Sequence, residues 1–121
     1  MAKTIMIVDD SSSMRQVVGI ALRDAGYDLI EAADGKEALS KLDGVKIHLI
    51  ISDINMPVMD GITFVKEVKQ LPKYRFTPII MLTTEVNQAK KDAAKEAGAK
   101  AWVTKPFQPK TLLEAISKLI L

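Results

Sequence analysis

The stretch HLIISDINMPVMDG, residues 48–61, decides the fold. Leu49, Ile50 and Ile51 form an apolar run of the kind buried on both faces of a sheet, and it ends at Asp53, where a strand would leave the sheet. Asn55, Met56, Pro57, Asp60 and Gly61 then break the pattern and make a loop. A single acid in such a place is ordinarily a turn former. Asp53 differs because the other strand-like runs also end in reactive side chains.

Upstream, the apolar run Thr4–Val8 stops at Asp9 and Asp10. Ser11, Ser12 and Ser13 can cap a following helix, in which Met14, Val17, Val18, Ala21, Leu22 and Ala25 recur at three and four residues as one core-facing stripe. Gly26 ends that helix, and residues 29–32 make a weaker strand closed by Asp34-Gly35. Ala38, Leu39 and Leu42 mark a short second helix that stops near Gly44.

Downstream, Ile62, Phe64, Val65, Val68 and Leu71 carry a third helix to Pro72. Residues 78–83 (PIIMLT) form a fourth buried strand that ends in Thr83, Thr84 and Glu85. A lysine-rich helix over residues 87–97 follows, stopped by Gly98, and its mostly alanine stripe predicts shallow docking. Residues 99–104 give a fifth strand, leading into Lys105-Pro106-Phe107; Leu112, Leu113, Ile116, Leu119 and Ile120 drive the last helix.

Five strands alternating with five helices predict an α/β fold, a (βα)5 doubly wound parallel sheet covered on both faces. Residues 1–121 read as one domain, without linker, low-complexity tract or output domain. Right-handed crossovers bring the strand ends to one edge, and ligands of open sheets bind at that carboxyl edge. Hydrophobic residues at 48% and charged residues at 26% are ordinary for a soluble protein, and a net charge of +2 is too small to imply nucleic-acid or membrane binding. The absence of cysteine excludes disulfides and thiolate metal sites. No run is long enough for a signal peptide or a membrane span, so the expected location is the cytoplasm.

The strand ends assemble Asp9, Asp10, Asp53, Thr83 and Lys105. Clustered carboxylates repel one another, and packing alone gives no reason to gather them. Against one ammonium they leave a double negative charge that a divalent cation neutralises. With all-oxygen donors the expected ion is Mg²⁺ or Mn²⁺. Such an ion can also bind a phosphoryl group whose other oxygens Lys105 and the Thr83 hydroxyl hold, with Asp53 as the nucleophile that forms an acyl phosphate. Asn55, two residues on, cannot act as a general acid, which favours a phosphoryl group held over one turned over rapidly.

These motifs, Asp9-Asp10, DINMPVMDG, the Thr83 that ends PIIMLT, and Lys105-Pro106-Phe107, resemble the receiver domain of two-component response regulators, most of all the single-domain chemotaxis type. The resemblance covers essentially the whole chain. It implies the flavodoxin-like strand order 2-1-3-4-5. It further implies that Asp53 accepts a phosphoryl group from a histidine kinase. Asp10, Asp53 and the Asn55 backbone carbonyl would bind Mg²⁺ directly, and Asp9 largely through water. Lys105 and Thr83 would contact the phosphoryl group, and the Lys105–Pro106 bond would be cis. Thr83 would be coupled in switching to Trp102, which stands where Tyr or Phe is usual. Asn55, Thr84 and Glu85 would tune the phosphorylated state's lifetime, with Thr84 larger than the residue common there.

The expected activity is a signalling switch, not an enzyme acting on a separate substrate. Its expected partners are a histidine kinase and a downstream target such as a flagellar motor switch component; the chain itself is expected to be a monomer. A phosphate sink for another regulator's kinase is the first alternative. An aspartate-nucleophile phosphatase lacks its second acid at Asn55 and its cap segment. A nucleotide- or flavin-binding module would need a Gly- or hydroxyl-rich loop where DDSSS stands. His48, the one histidine, reads as a surface residue, and Lys90, Lys91, Lys95 and Lys100 as a solvated face or a weak docking surface for an acidic partner.

Overall fold

The computed structural model describes residues 2–120. The elements run β1 (Thr4–Val8), α1 (Ser12–Asp24), β2 (Asp28–Ala32), α2 (Gly35–Lys41), β3 (Leu49–Ser52), α3 (Gly61–Gln70), β4 (Ile79–Thr83), α4 (Gln88–Ala97), β5 (Ala101–Thr104) and α5 (Pro109–Leu119). All four strand pairings are parallel, in the order β2-β1-β3-β4-β5. The fold class and strand order agree with the expectation.

The continuous apolar runs are explained by two cores, one on each face, which alternate strand residues feed. Met6, Val8, Ile50, Ile79 and Met81 pack with Ala38, Phe64, Val65, Val68 and Ala94 from α2, α3 and α4. Ile5, Ile7, Leu49, Ile51, Ile80 and Leu82 pack with Val18, Leu22, Leu112 and Ile116 from α1 and α5. A two-residue period therefore fills both layers, and neither face of β1, β3 or β4 tolerates a charge.

Helix ends follow side-chain chemistry. Ser11, Asp34, Asp60 and Asn87 each cap a helix by accepting a backbone N–H of its first turn. Gly26, at φ +94°, follows α1 in a conformation that other residues rarely adopt.

Three expectations shift. Val17 is 53% exposed and Ala25 is also exposed, so the buried line of α1 is Val18 and Leu22, with Met14 partly covered. Spacing at three and four fits two adjacent lines on a helix, and the sheet face together with α5 covers only one. β5 begins at Ala101 because the N–H of Ala99 is spent on the Ala94 carbonyl, ending α4. β4 begins at Ile79, since Pro78 has no N–H to give the ladder. α4 docks shallowly as expected, with Ala94 its only buried residue.

Candidate functional site

The sheet's geometry sets the site. β1 and β3 are adjacent central strands with Val8 opposite Ser52, so the residues that follow them, Asp9 and Asp53, leave the same edge side by side. The backbone holds both in place: Asp9 N–H donates to the Ala32 carbonyl at 3.1 Å and Asp53 N–H to the Val8 carbonyl at 3.0 Å. Both are buried, at 4% and 8% exposure. A buried carboxylate requires partners. Asp9 Oδ1 accepts the Ser11 N–H at 2.9 Å, and Asp53 Oδ1 accepts those of Ile54 at 2.6 Å and Asn55 at 3.4 Å.

Lys105 supplies the counter-charge. Its backbone N–H donates to the Thr83 carbonyl, extending the β4–β5 ladder past its last pair. The Lys105–Pro106 peptide is cis, as the resemblance implied. The ammonium donates to Asp9 Oδ2 at 2.7 Å and to Asp53 Oδ2 at 3.1 Å, and the side chain is 9% exposed. Burial opposes its charge, but the two carboxylates more than offset this and raise its pKa above the ordinary lysine value.

Asp10 projects into solvent at the rim, yet its carboxylate joins the other two: one ligand oxygen from each of Asp9, Asp10 and Asp53 lies within 4.8 Å of the others. Lys105 neutralises one negative charge of the group. A hard divalent cation suits the donors, which are all oxygens, and the residual charge.

Across the cleft from Asp53 and Lys105 stands the end of β4. Thr83 is fully buried, and its hydroxyl accepts the Glu85 N–H at 3.2 Å; Asp53 and Lys105 are not its partners. Thr84 is exposed. Glu85 bridges the two sides, accepting the Asn55 side-chain amide at 3.4 Å and the Asn87 N–H at 3.1 Å, with Lys90 at 3.5 Å. The Asn87 N–H, followed by the Asn55 amide, holds its carboxyl below the usual range. Trp102 pairs with Met81 and Thr83 with Thr104, which puts Trp102 and Thr83 diagonally on one face of adjacent strands. The indole is half-buried, its buried Nε1 has no hydrogen-bond partner, and Lys91 Nζ stands 5.7 Å from the ring centroid.

Two supporting residues escaped the sequence reading. Arg15 donates to the Asp9 carbonyl and pairs with Glu31 at 3.2 Å, pinning the end of β1 from α1. Gly61 matters more. A Cβ there would sit 2.0 Å from the Asp53 carbonyl oxygen and 2.8 Å from Ile54 Cα, and its N–H donates to the Ile54 carbonyl at 2.7 Å. The Asp60-Gly61 pair was legible as a loop, but the reason for glycine is the close approach of α3 to the Asp53–Ile54 backbone. His48 also departs from a plain surface residue: its Nδ1 accepts the Thr4 N–H at 2.9 Å.

A family model described as the response regulator receiver domain matches residues 5–117, and the chain belongs to that family. Among curated relatives, chemotaxis protein CheY1 of Helicobacter pylori is 39% identical over 118 residues, covering 96% of this chain and 95% of that protein. The chemotaxis protein CheY4 of Vibrio cholerae matches in structure with a TM-score of 0.94 and 48% identity, covering 99% of this chain and all of that one. The receiver domain of sensor histidine kinase PA1611 from Pseudomonas aeruginosa, solved with a magnesium ion coordinated in its active-site cleft, matches at TM-score 0.90 and 27% identity, covering 98% of each chain. The chain is thus a receiver domain of the chemotaxis type, the class built as a phosphorylation-activated two-component switch. Among the described residues no helix is long and apolar enough to cross a membrane.

Proposed function

We propose that residues 1–121 act as one receiver unit in the cytosol, in which Asp53 takes a phosphoryl group from the phosphohistidine of a histidine kinase. The observation that carries this reading is the pair of buried carboxylates, Asp9 and Asp53, sharing the Lys105 ammonium with Asp10 alongside. An Asp53 oxygen attacks phosphorus, the phosphorus–nitrogen bond breaks, and the departing imidazole takes up a proton. Lys105 balances charge on the incoming oxygens, and the N–H groups of Ile54 and Asn55 fix the carboxylate's orientation.

Asp10, Asp53 and the Asn55 backbone carbonyl would hold Mg²⁺, or Mn²⁺, with Asp9 acting through water, and the ion would supply charge neutralisation for the transferring group. Thr83 turns its hydroxyl from Glu85 towards the phosphoryl oxygens, and Trp102 answers across β5. Asn55, Thr84 and Glu85 control the access of water and so the lifetime. The switched state is read by a downstream protein such as a flagellar motor switch component. The chain catalyses only the gain and loss of its own phosphoryl group.

Incubation with acetyl phosphate and Mg²⁺ is expected to add one acid-labile phosphate, which chelation of the metal or Asp53→Asn abolishes. Equal labelling of the Asp53→Asn variant would remove the assignment.

A further inference from the structure

The amino edge of the sheet, opposite the site, carries an unexplained surface. A groove of about 420 Å³ opens there, lined by Ile47, His48, Lys73, Phe76, Pro78 and Lys100 among others. Phe76 at its rim is 90% exposed, a large apolar side chain given entirely to solvent. Its turn is firmly held: Tyr74 is buried and its hydroxyl donates to the Val45 carbonyl at 2.6 Å, Thr77 N–H donates to the Tyr74 carbonyl at 3.1 Å, and Lys69 Nζ donates to the Thr77 carbonyl at 2.7 Å. The aromatic ring is therefore presented by a fixed backbone.

Lys73 and Lys100 line the groove, with Lys46 and Arg75 next in sequence to its residues Ile47 and Phe76, and the Lys73 ammonium also donates to the Gly44 carbonyl. Among the described residues none of Lys46, Lys73, Arg75 and Lys100 has a carboxylate within 4.0 Å, and the edge's acids, Asp28 and Asp43, pair with none of them. The positive field registers on its neighbours. Burial and then Lys3 and Lys46 lower the pKa of His48, and burial and then Lys100 lower that of Lys69.

We propose that this groove is a docking site for an acidic peptide segment with a central apolar residue, which rests on Ile47 and Pro78 against Phe76 while its carboxylates meet Lys73, Lys100 and Lys46. Charge complementarity selects the occupant. A single exposed aromatic does not make the row of stacking platforms that a nucleic-acid strand uses, and a concave groove does not suit a flat lipid surface. Because the groove lies at the opposite ends of the strands from Asp53, docking is independent of phosphorylation and can tether the switch in either state.

The test uses a fluorescein-labelled peptide of Asp and Glu around a central Leu-Phe pair, followed by anisotropy and by amide chemical-shift mapping on the full chain. The proposal expects shifts at residues 46–48, 73–78 and 100, binding unchanged by Asp53→Asn or beryllofluoride, and about tenfold weaker affinity in Phe76→Ser and in Lys73→Glu. The Asn/Gln version of the peptide is expected not to bind. Absence of binding, shifts centred on α4 and β5, or affinity indifferent to Phe76→Ser and Lys73→Glu overturns it. So does tighter binding of a single-stranded oligonucleotide or of anionic vesicles at the same residues, or Phe76-dependent self-association by sedimentation. Phosphorylation of Asp53 in Phe76→Ser stays at the level of the unaltered chain, so failure here is distinct from failure of the switch reading.

Discussion

The two edges of one sheet treat charge in opposite ways. At the carboxyl edge, Asp9 and Asp53 are buried and share one ammonium, with Asp10 nearby. At the amino edge, Lys73 and Lys100 line a groove, and among the described residues neither has a carboxylate partner. Water and salt screen the exposed cations at little cost. The buried acids cannot be screened so, and their repulsion is relieved by neutralising charge brought to them. The same five strands thus carry one edge whose buried acids need neutralising charge, which Lys105 supplies in part, and one whose cations are left to solvent.

This contrast is broken most severely at Gly61. Gly61→Ala places a methyl 2.0 Å from the Asp53 carbonyl oxygen, so either β3 or α3 must shift. The expected loss is about 3 kcal/mol by denaturant titration, with impaired phosphorylation in the fraction that remains folded. Stability within about 0.5 kcal/mol of the parent would show that the carboxyl edge is looser than its contacts indicate.

A smaller effect tests the repulsion itself. Asp10→Asn removes one of the three clustered negative charges but no buried hydrogen bond. Without divalent ions it is expected to raise stability by about 0.5–1 kcal/mol, in keeping with the exposure of Asp10. Added Mg²⁺ is expected to stabilise the parent by linkage and the variant much less. A variant that gains as much from Mg²⁺ as the parent would place the ion elsewhere.

The smallest effect belongs to the amino edge. The folded chain holds His48 below its ordinary pKa, through burial and then Lys3 and Lys46, and the Thr4 N–H bond requires an unprotonated Nδ1. The unfolded chain therefore binds the proton more readily. This stability is fully present above about pH 6.5 and is lost as pH falls through the folded-state value. Between pH 7.5 and 5.5, His48→Gln is expected to flatten the decline in unfolding free energy by less than about 1 kcal/mol. Identical slopes would contradict it.

Sequence period and strand-end chemistry were enough to read the sheet, its order by resemblance, and the gathering of Asp9, Asp10, Asp53 and Lys105. These are legible because each acid directly ends an apolar strand, so a residue's place in the chain fixes its place on the edge. Val17 was misread because adjacent helical lines share the same spacing, and only the docking of α1 against the sheet and α5 decides which is covered. Arg15 and Gly61 act through approaches between elements distant in the chain, which no local pattern records. Thr83 lay at the expected strand end, but the direction of its hydroxyl depends on the Glu85 N–H beyond it.

The most direct test traps the acyl phosphate. The chain, phosphorylated by acetyl phosphate with Mg²⁺, is reduced with borohydride, which converts a phosphorylated aspartate to homoserine, and the products are sequenced by mass spectrometry. Homoserine at position 53 alone, and none when the metal is chelated, is the predicted result. Homoserine at Asp9 or Asp10, or its equal formation without divalent ions, would contradict the reading of Asp53 as the nucleophile of a metal-dependent switch.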